Sequence, residues 1–494
     1  MRILKIALIV NLYIFSACSD LLEVQPVSVI TTESFWQSEG DAEGALIGMY
    51  VNLRSIANSN LYYLGEARAD AVTLGTVGEG GWAKYYLNRL QPEDAGPSWQ
   101  SFYTLVNSAN LLIKYVPQIE FASESRKNTI LAEAYSMRAY TYFVMARTWG
   151  DLPLRSEPTE SENPELTQIP RTAQSEVFEF IKEDIETALQ LFPTDEYAQG
   201  RMFWSRPATN ALKGEVYLWT GKTMGGGTSD IQTALSALEE IEGTNIELLP
   251  DFEDIFDYNN KGNDEILMAV RYAEFESAGN NYFNDMYIIG SAIPSNISQE
   301  TREIIGAIGG GSNNIIVPTD YLKSLYSEDD SRKDATFFEI YTQEENGELE
   351  YYTTIVTKGS GTVIGGSRNF IDDIILYRYA DVLLMVAEAK VALGEDPAPE
   401  MNKVRERAFG DQFSDHEFVS GSLEENNAAI LEERLRELAF EGKRWWDLVR
   451  FGKAIEMLPT LSQYDNPEER LLWPISNDVL SLEINITQNP GYQN

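Results

Sequence analysis

The sequence predicts a mainly α-helical chain of stacked helix pairs, interrupted by long irregular insertions with minor β structure. Three observations carry this expectation. Apolar residues recur at helical steps in one segment after another. Small residues alternate with large ones where those segments would cross. The tracts at 57–96, 150–172, 243–317 and 328–372 are rich in Gly, Asn, Ser, Tyr and Thr and show no such period. At about 150 residues per domain the chain would make roughly three domains, but a helical solenoid runs longer as one body.

Taken in order, a first helix is expected over 40–56, with Ala45, Met49, Leu53 and Ile56 on one face. A second covers 97–116. The third, 124–149, carries Leu131, Tyr135, Tyr142, Ala146 and Trp149 at compatible steps, and the fourth, 173–192, carries Val177, Ile181, Ile185 and Leu189. Further helices are expected at 207–222, 228–241, 374–393 and 400–408, and a last pair at 424–441 and 443–457, parted at Gly442. Glu432 and Arg436 form an i,i+4 pair read as solvent-facing. Ala208, Ala211 and Gly214 alternate with Tyr217 and Trp219, and Ala380, Ala387 and Ala389 with Leu383 and Leu384. Small against large is how tetratricopeptide-type hairpins stack, although no clean 34-residue period is present. Tyr351–Val356 reads as a strand. Because the helices are occupied with packing, ligand recognition is placed in the irregular tracts, where long loops are commonly functional.

Composition narrows the chemistry. In 494 residues, 38 Lys and Arg stand against 77 Asp and Glu, a net charge of −39. Such a surface repels phosphate backbones, which argues against a nucleic-acid binder, and less strongly against a polyanionic ligand. One His and one Cys exclude disulfide frameworks and cysteine-based zinc or iron–sulfur sites. A Ser-His-Asp triad would have to use His416. Gly309-Gly310-Gly311 and Gly359-Ser360-Gly361 lack the Lys-Ser/Thr of a phosphate loop and read as flexible turns. No cofactor is expected.

The N-terminus reads as an address. Arg2 and Lys5 precede an apolar stretch, Ile6–Phe15, too short for the about 20 residues that span a bilayer. Phe15-Ser16-Ala17-Cys18 resembles a bacterial lipobox, making residues 1–17 a signal peptide and Cys18 a lipidated first residue; the alternative is an ordinary buried thiol. Loss of residues 1–17 removes two cations, leaving 36 − 77 = −41.

Six motifs in order resemble the SusD/RagB family. Glu433–Arg450, with Phe440-Glu441-Gly442-Lys443-Arg444-Trp445-Trp446-Asp447 at its centre, is similar to the family's C-terminal signature. So are Tyr377–Met385 with Ala387–Lys390, and Asn402–Ala408 after it. Arg138-Ala139-Tyr140 with Trp149–Leu154 resembles its first repeat and exit; Ser34-Phe35-Trp36 with Asp41-Ala42 its opening; Trp473-Pro474-Ile475 and Gln488–Tyr492 its tail. The resemblance implies an α-superhelix of tetratricopeptide-like pairs forming a single domain over 18–494. Its repeat-like helices lie at about 97–149, 173–241 and 374–457, and its ligand-bearing insertions at about 57–96 and 243–372. It further implies a non-catalytic, lipid-anchored, surface-exposed outer-membrane protein that binds a glycan and serves a SusC-like TonB-dependent transporter.

Rings cover the C–H faces of sugars, and Asn, Asp and Arg fork to their hydroxyls. On that basis Trp82, on the Gly-rich stretch 78–81 and followed by Tyr85, is the first candidate; the alternative is a loop side chain tucked against the helices. Asn281, Tyr282 and Tyr287 form a second group, with Tyr287 alternatively packing beside Ile288 and Ile289. Arg68 and Asp70 are candidates for hydroxyls or, equally, a structural ion pair. The acidic balance favours a neutral oligo- or polysaccharide. Three alternatives stand beside this reading: a scaffold or lid with no glycan site, a peptide-capturing subunit, and a secreted glycoside hydrolase, which would need two carboxylates about 5–9.5 Å apart.

Overall fold

The computed structural model describes residues 35–276, 280–306, 310, 312 and 314–493. The leader at 1–17, Cys18, Ser34, Gly309 and Gly311 lie outside the described residues, as does the side chain of Tyr282.

The helical expectation holds. The main helices are α1 (Glu39–Ala57), α2 (Trp99–Tyr115), α3 (Glu124–Trp149), α4 (Gln174–Leu191), α5 (Arg206–Thr223), α6 (Gly227–Glu239), α7 (Tyr379–Leu393), α8 (Ala398–Phe409), α9 (Leu423–Leu438) and α10 (Arg444–Arg450). Ser38, Ser98, Ser123, Ser205 and Ser422 accept backbone N–H bonds at the starts of α1, α2, α3, α5 and α9, the preferred chemistry for orphan donors there. Each helix through α6 packs on its successor. α6 then meets α7 across the whole intervening insertion, and α7 contacts both α8 and α9. α3 lies between α2 and α4, so nearly all of Ile130–Trp149 is buried rather than one face of it.

Small against large is how α5 and α6 cross. A Cβ on Gly214 would stand 2.5 Å from Leu238 Cγ, and one on Gly221 2.7 Å from Ile231 Cδ1. Only glycine admits so close an approach.

The insertion between α6 and α7 is clasped at its base. β2 (Ile266–Val270) pairs antiparallel with β8 (Ile374–Arg378). The helix expected over 374–393 therefore starts late, at Tyr379. The run Ile374-Ile375-Leu376-Tyr377 satisfies a buried strand as well as a helix, and the partner strand decides. β1 (Val72–Leu74) pairs with β3 (Ile316–Pro318), tying the 57–96 tract to the insertion. β4 (Phe337–Gln343) and β5 (Leu349–Val356) form a hairpin, which includes the strand expected at 351–356. β6 (Thr362–Ile364) and β7 (Ser367–Asn369) form another. The segment 443–457 is two helices, because Gly452 takes φ +67° and ends α10 before a short turn of helix at Ala454–Met457.

The charged residues of the C-terminal signature are structural. Arg332 reaches Asp330, Glu433 and Glu437 at 2.7–3.0 Å, and Arg378 reaches Glu265, Glu437 and Glu441 at 2.6–2.8 Å, all without solvent exposure of the arginines. A second cluster joins Arg434 to Asp381 and Asp447, and Arg450 to Asp447 and Glu388. Pairing of this kind offsets the cost of burying these charges. Arg436, expected on the solvent side with Glu432, is also drawn inward, to Glu433 at 2.8 Å and the Leu325 carbonyl at 3.1 Å.

Candidate functional site

The two irregular tracts expected to carry ligand meet. α1 ends at Ala57, and the next residue, Asn58, accepts the backbone N–H of Asn281 through Oδ1 at 2.6 Å. Asn281 starts a single helical turn, Asn281–Asn284, capped by Asn280. Asp285 follows, its carbonyl taking N–H bonds from Ile315 (3.0 Å) and Ile316 (3.2 Å) beside the β1–β3 ladder. Its half-buried carboxyl is raised by burial. Tyr63, on the short helix Asn60–Gly65, lies close enough to Asp285 to feel its charge, and burial with that field pushes the Tyr63 hydroxyl up to about 12. Gly65 on the same helix rests on the signature turn: a Cβ there would stand 2.9 Å from Trp446 Cζ3. Tyr63 and Asp285 thus meet beside the Gly75–Asn314 end of the ladder, Asn281 lies one helical turn before Asp285, and the short helix Ala83–Tyr86, which Trp82 precedes, packs on β1.

The remaining candidates are placed differently from expectation. Arg68 is 1% exposed. It donates to Asn88 Oδ1 (2.7 Å) and the Arg470 carbonyl (2.6 Å), its guanidinium lies 4.1 Å from the Trp445 ring, and burial lowers its pKa to about 10. Asp70 makes a two-pronged pair with Arg444, both bonds 2.7 Å. The expected Arg68–Asp70 alternatives are thus both corrected: each residue is structural, but neither pairs with the other. Tyr85 is buried, its ring stacked on Tyr63 at 4.6 Å, so it supports that ring rather than meeting solvent. Tyr287 is buried too; its hydroxyl donates to the Ile305 carbonyl at 3.1 Å and Arg368 lies 4.6 Å over its ring. The packing alternative holds there. Trp82 is half-buried against the core, at the start of the short helix Ala83–Tyr86, and its Nε1 is shielded from solvent without an acceptor among the described residues. Asn281 stands exposed.

Sequence reasoning passed over Tyr63. Its neighbour pairings, 22 residues away at Tyr85 and 222 away at Asp285, are set by tertiary contact, and only the Tyr-Tyr step inside a candidate tract hinted at it. His416 joins no triad: its Nε2 lies 2.6 Å from Asp329 and its ring stacks on Phe409 at 3.8 Å.

The helical frame spends its most buried ion pairs on packing, and two of its irregular tracts meet. Two family models match: that of the SusD family over residues 364–492, and one described as starch-binding, associating with outer membrane, over residues 20–218. B. fragilis NanU is similar at 34% identity over 95% of this chain and 100% of its own, with a TM-score of 0.85. SusD-like protein P38 of Formosa agariphila is 28% identical over 95% of this chain and 94% of its own. A laminarin-binding SusD-like protein is 26% identical over 92% and 100%, with a TM-score of 0.74. The chain belongs to the SusD family, whose members are non-catalytic glycan-binding proteins associated with the outer membrane. The glycoside-hydrolase alternative falls with that membership.

Proposed function

We propose that this protein captures a neutral oligo- or polysaccharide at the cell surface and delivers it to a SusC-like TonB-dependent transporter, held to the outer membrane by a lipid on Cys18. The meeting of the two irregular tracts at Asn58–Asn281 and Tyr63–Asp285, with Trp82 on the same tract as Tyr63, supports the reading most directly. A half-buried ring, an exposed amide and a carboxyl are the groups that neutral sugars require. A carboxyl at the rim of a chain with net charge −39 disfavours acidic polymers. One ring gives weak binding, so a polymer held by repeated contacts is the natural ligand.

Affinity electrophoresis through laminarin, starch, xylan and galactomannan, with alginate as the charged control, tests this. The wild-type chain should be retarded by at least one neutral polymer, and Trp82→Ala should weaken that retention by about threefold or more, the scale of one aromatic contact. Because Trp82 is half-buried, Trp82→Phe serves as a folded control that keeps a ring. Equal retention of all three would remove Trp82 from the site. Burial of Arg68, Tyr85 and Tyr287 favours a second reading, a lid or scaffold without its own glycan site; it predicts no retention in any gel while the transporter still co-purifies.

A further inference from the structure

Among the described residues, the tyrosines that stand exposed are Tyr321, Tyr341 and Tyr351. They share one neighbourhood, away from the site above. Tyr341 and Tyr351 are direct cross-strand partners in the β4–β5 hairpin, their rings 5.9 Å apart and nearly perpendicular. Both hydroxyls have hydrogen-bond partners on the hairpin. The Tyr341 hydroxyl bonds to Glu339 at 2.9 Å, and that of Tyr351 shares a 2.8 Å bond with Thr354. Lys323, on the short helix Asp320–Ser324, closes the group: its ammonium sits 3.0 Å from Glu339 and 4.7 Å over the Tyr351 ring. Two residues away, Tyr321 opens onto a cleft of about 740 Å³ whose walls include Asn427 and Phe451. That helix begins just past β3, at the Asp70 end of the β1–β3 ladder, where Thr319 Oγ1 donates to the Asp70 carbonyl at 2.6 Å; Asp285 lies at the ladder's other end.

Exposed rings usually pack, pair or bind. Here each hydroxyl is hydrogen-bonded, and a carboxylate and an ammonium flank the rings. A pre-set ring loses little rotamer freedom on binding, which is the advantage of preorganisation. The chemistry is that of a sugar: C–H faces for the rings, hydroxyls for Glu339 and Lys323.

We propose that the outer face of the β4–β5 hairpin, with Tyr341, Tyr351, Glu339 and Lys323, is a second saccharide-binding surface, along which a polymer extends toward the Tyr321 cleft. This rests on the glycan-binding reading above and adds to it a second point of attachment on the same chain. Two attachment points on one polymer raise retention through effective concentration, without either being strong.

The test uses the same polymers and the full chain. Tyr341→Ala/Tyr351→Ala should reduce retention by about threefold or more with an unchanged melting temperature, and Tyr341→Phe/Tyr351→Phe, which keeps the rings, should hold most of it. The loss should multiply with that of Trp82→Ala. If the wild-type chain is retained and the alanine pair is retained equally, the hairpin surface is overturned while the glycan reading stands. If the alanine pair keeps its glycan retention but no longer co-purifies with the transporter, the face docks protein and the proposal is again overturned. If no polymer retards the wild-type chain, both readings fall together.

Discussion

Glu66 is sealed beneath the Phe440–Arg444 turn, accepting N–H bonds from Phe440 (3.1 Å), Lys443 (3.2 Å) and Arg444 (3.5 Å). Burial outweighs these donors and pushes its carboxyl from 4.5 up to about 7. The native state therefore holds a proton that the unfolded chain releases, so the stability Glu66 contributes is full below 4.5 and is lost as pH rises through 7. Glu388 runs the other way. Burial would raise it, but Arg450 and Lys222 hold it at about 2, so its contribution is present above 4.5 and lost as pH falls through 2. Glu66→Gln should thus cost more stability at about pH 5 than at about pH 7, the difference approaching 1.4 kcal/mol per pH unit in the steepest region. Urea melts at the two pH values measure it, and parallel wild-type and variant profiles would contradict it. The same residue scale shows why the site was only partly legible. Trp82 and Asn281 declare themselves by residue type and tract. Whether Arg68 faces a ligand or Trp445 depends on Asn88 and the Arg470 carbonyl, which no local pattern brings beside it.

At the scale of elements, the helices were legible because each has a period, a serine cap or a glycine stop, all written locally. β8 was not. Ile374–Arg378 is helical by period and a strand by partner, and the partner, β2, lies on the far side of the insertion. Tertiary pairing of this kind overrides local preference. The α5–α6 crossing offers a direct check on the small-against-large rule. Gly214→Val places two methyls where Leu238 already stands, and overpacking of this kind costs about 1–3 kcal/mol. In a Leu238→Ala background the clash is gone, so the same substitution should cost little. A double-mutant cycle by thermal or urea denaturation reads the coupling. Equal costs in both backgrounds would mean that Leu238 is not what the glycine makes room for.

At the scale of the whole molecule, the net charge bears on the proposed anchor. Most of the acidic excess stays on the surface, since the arginine clusters around Arg332, Arg378, Arg434 and Arg450 are matched by carboxylates inside. A body with net charge −39 is repelled by anionic headgroups, and no helix of the described residues is long and apolar enough to cross a membrane. Under the anchoring proposed above, acyl chains on Cys18 would contribute about 0.8 kcal/mol per buried CH₂. Salt distinguishes such an anchor from surface adsorption. Screening shortens electrostatic reach to about 3 Å at 1 M ionic strength, which removes adsorption but leaves buried hydrocarbon in place. The wild-type chain should stay in the membrane fraction through a 1 M salt wash, whereas Cys18→Ala should leave it for the soluble fraction before any salt is added. A Cys18→Ala protein that remains membrane-bound after the wash would show that something other than a lipid on that thiol holds it. A bound wild type released by salt alone would transfer the role to a protein partner with a basic face.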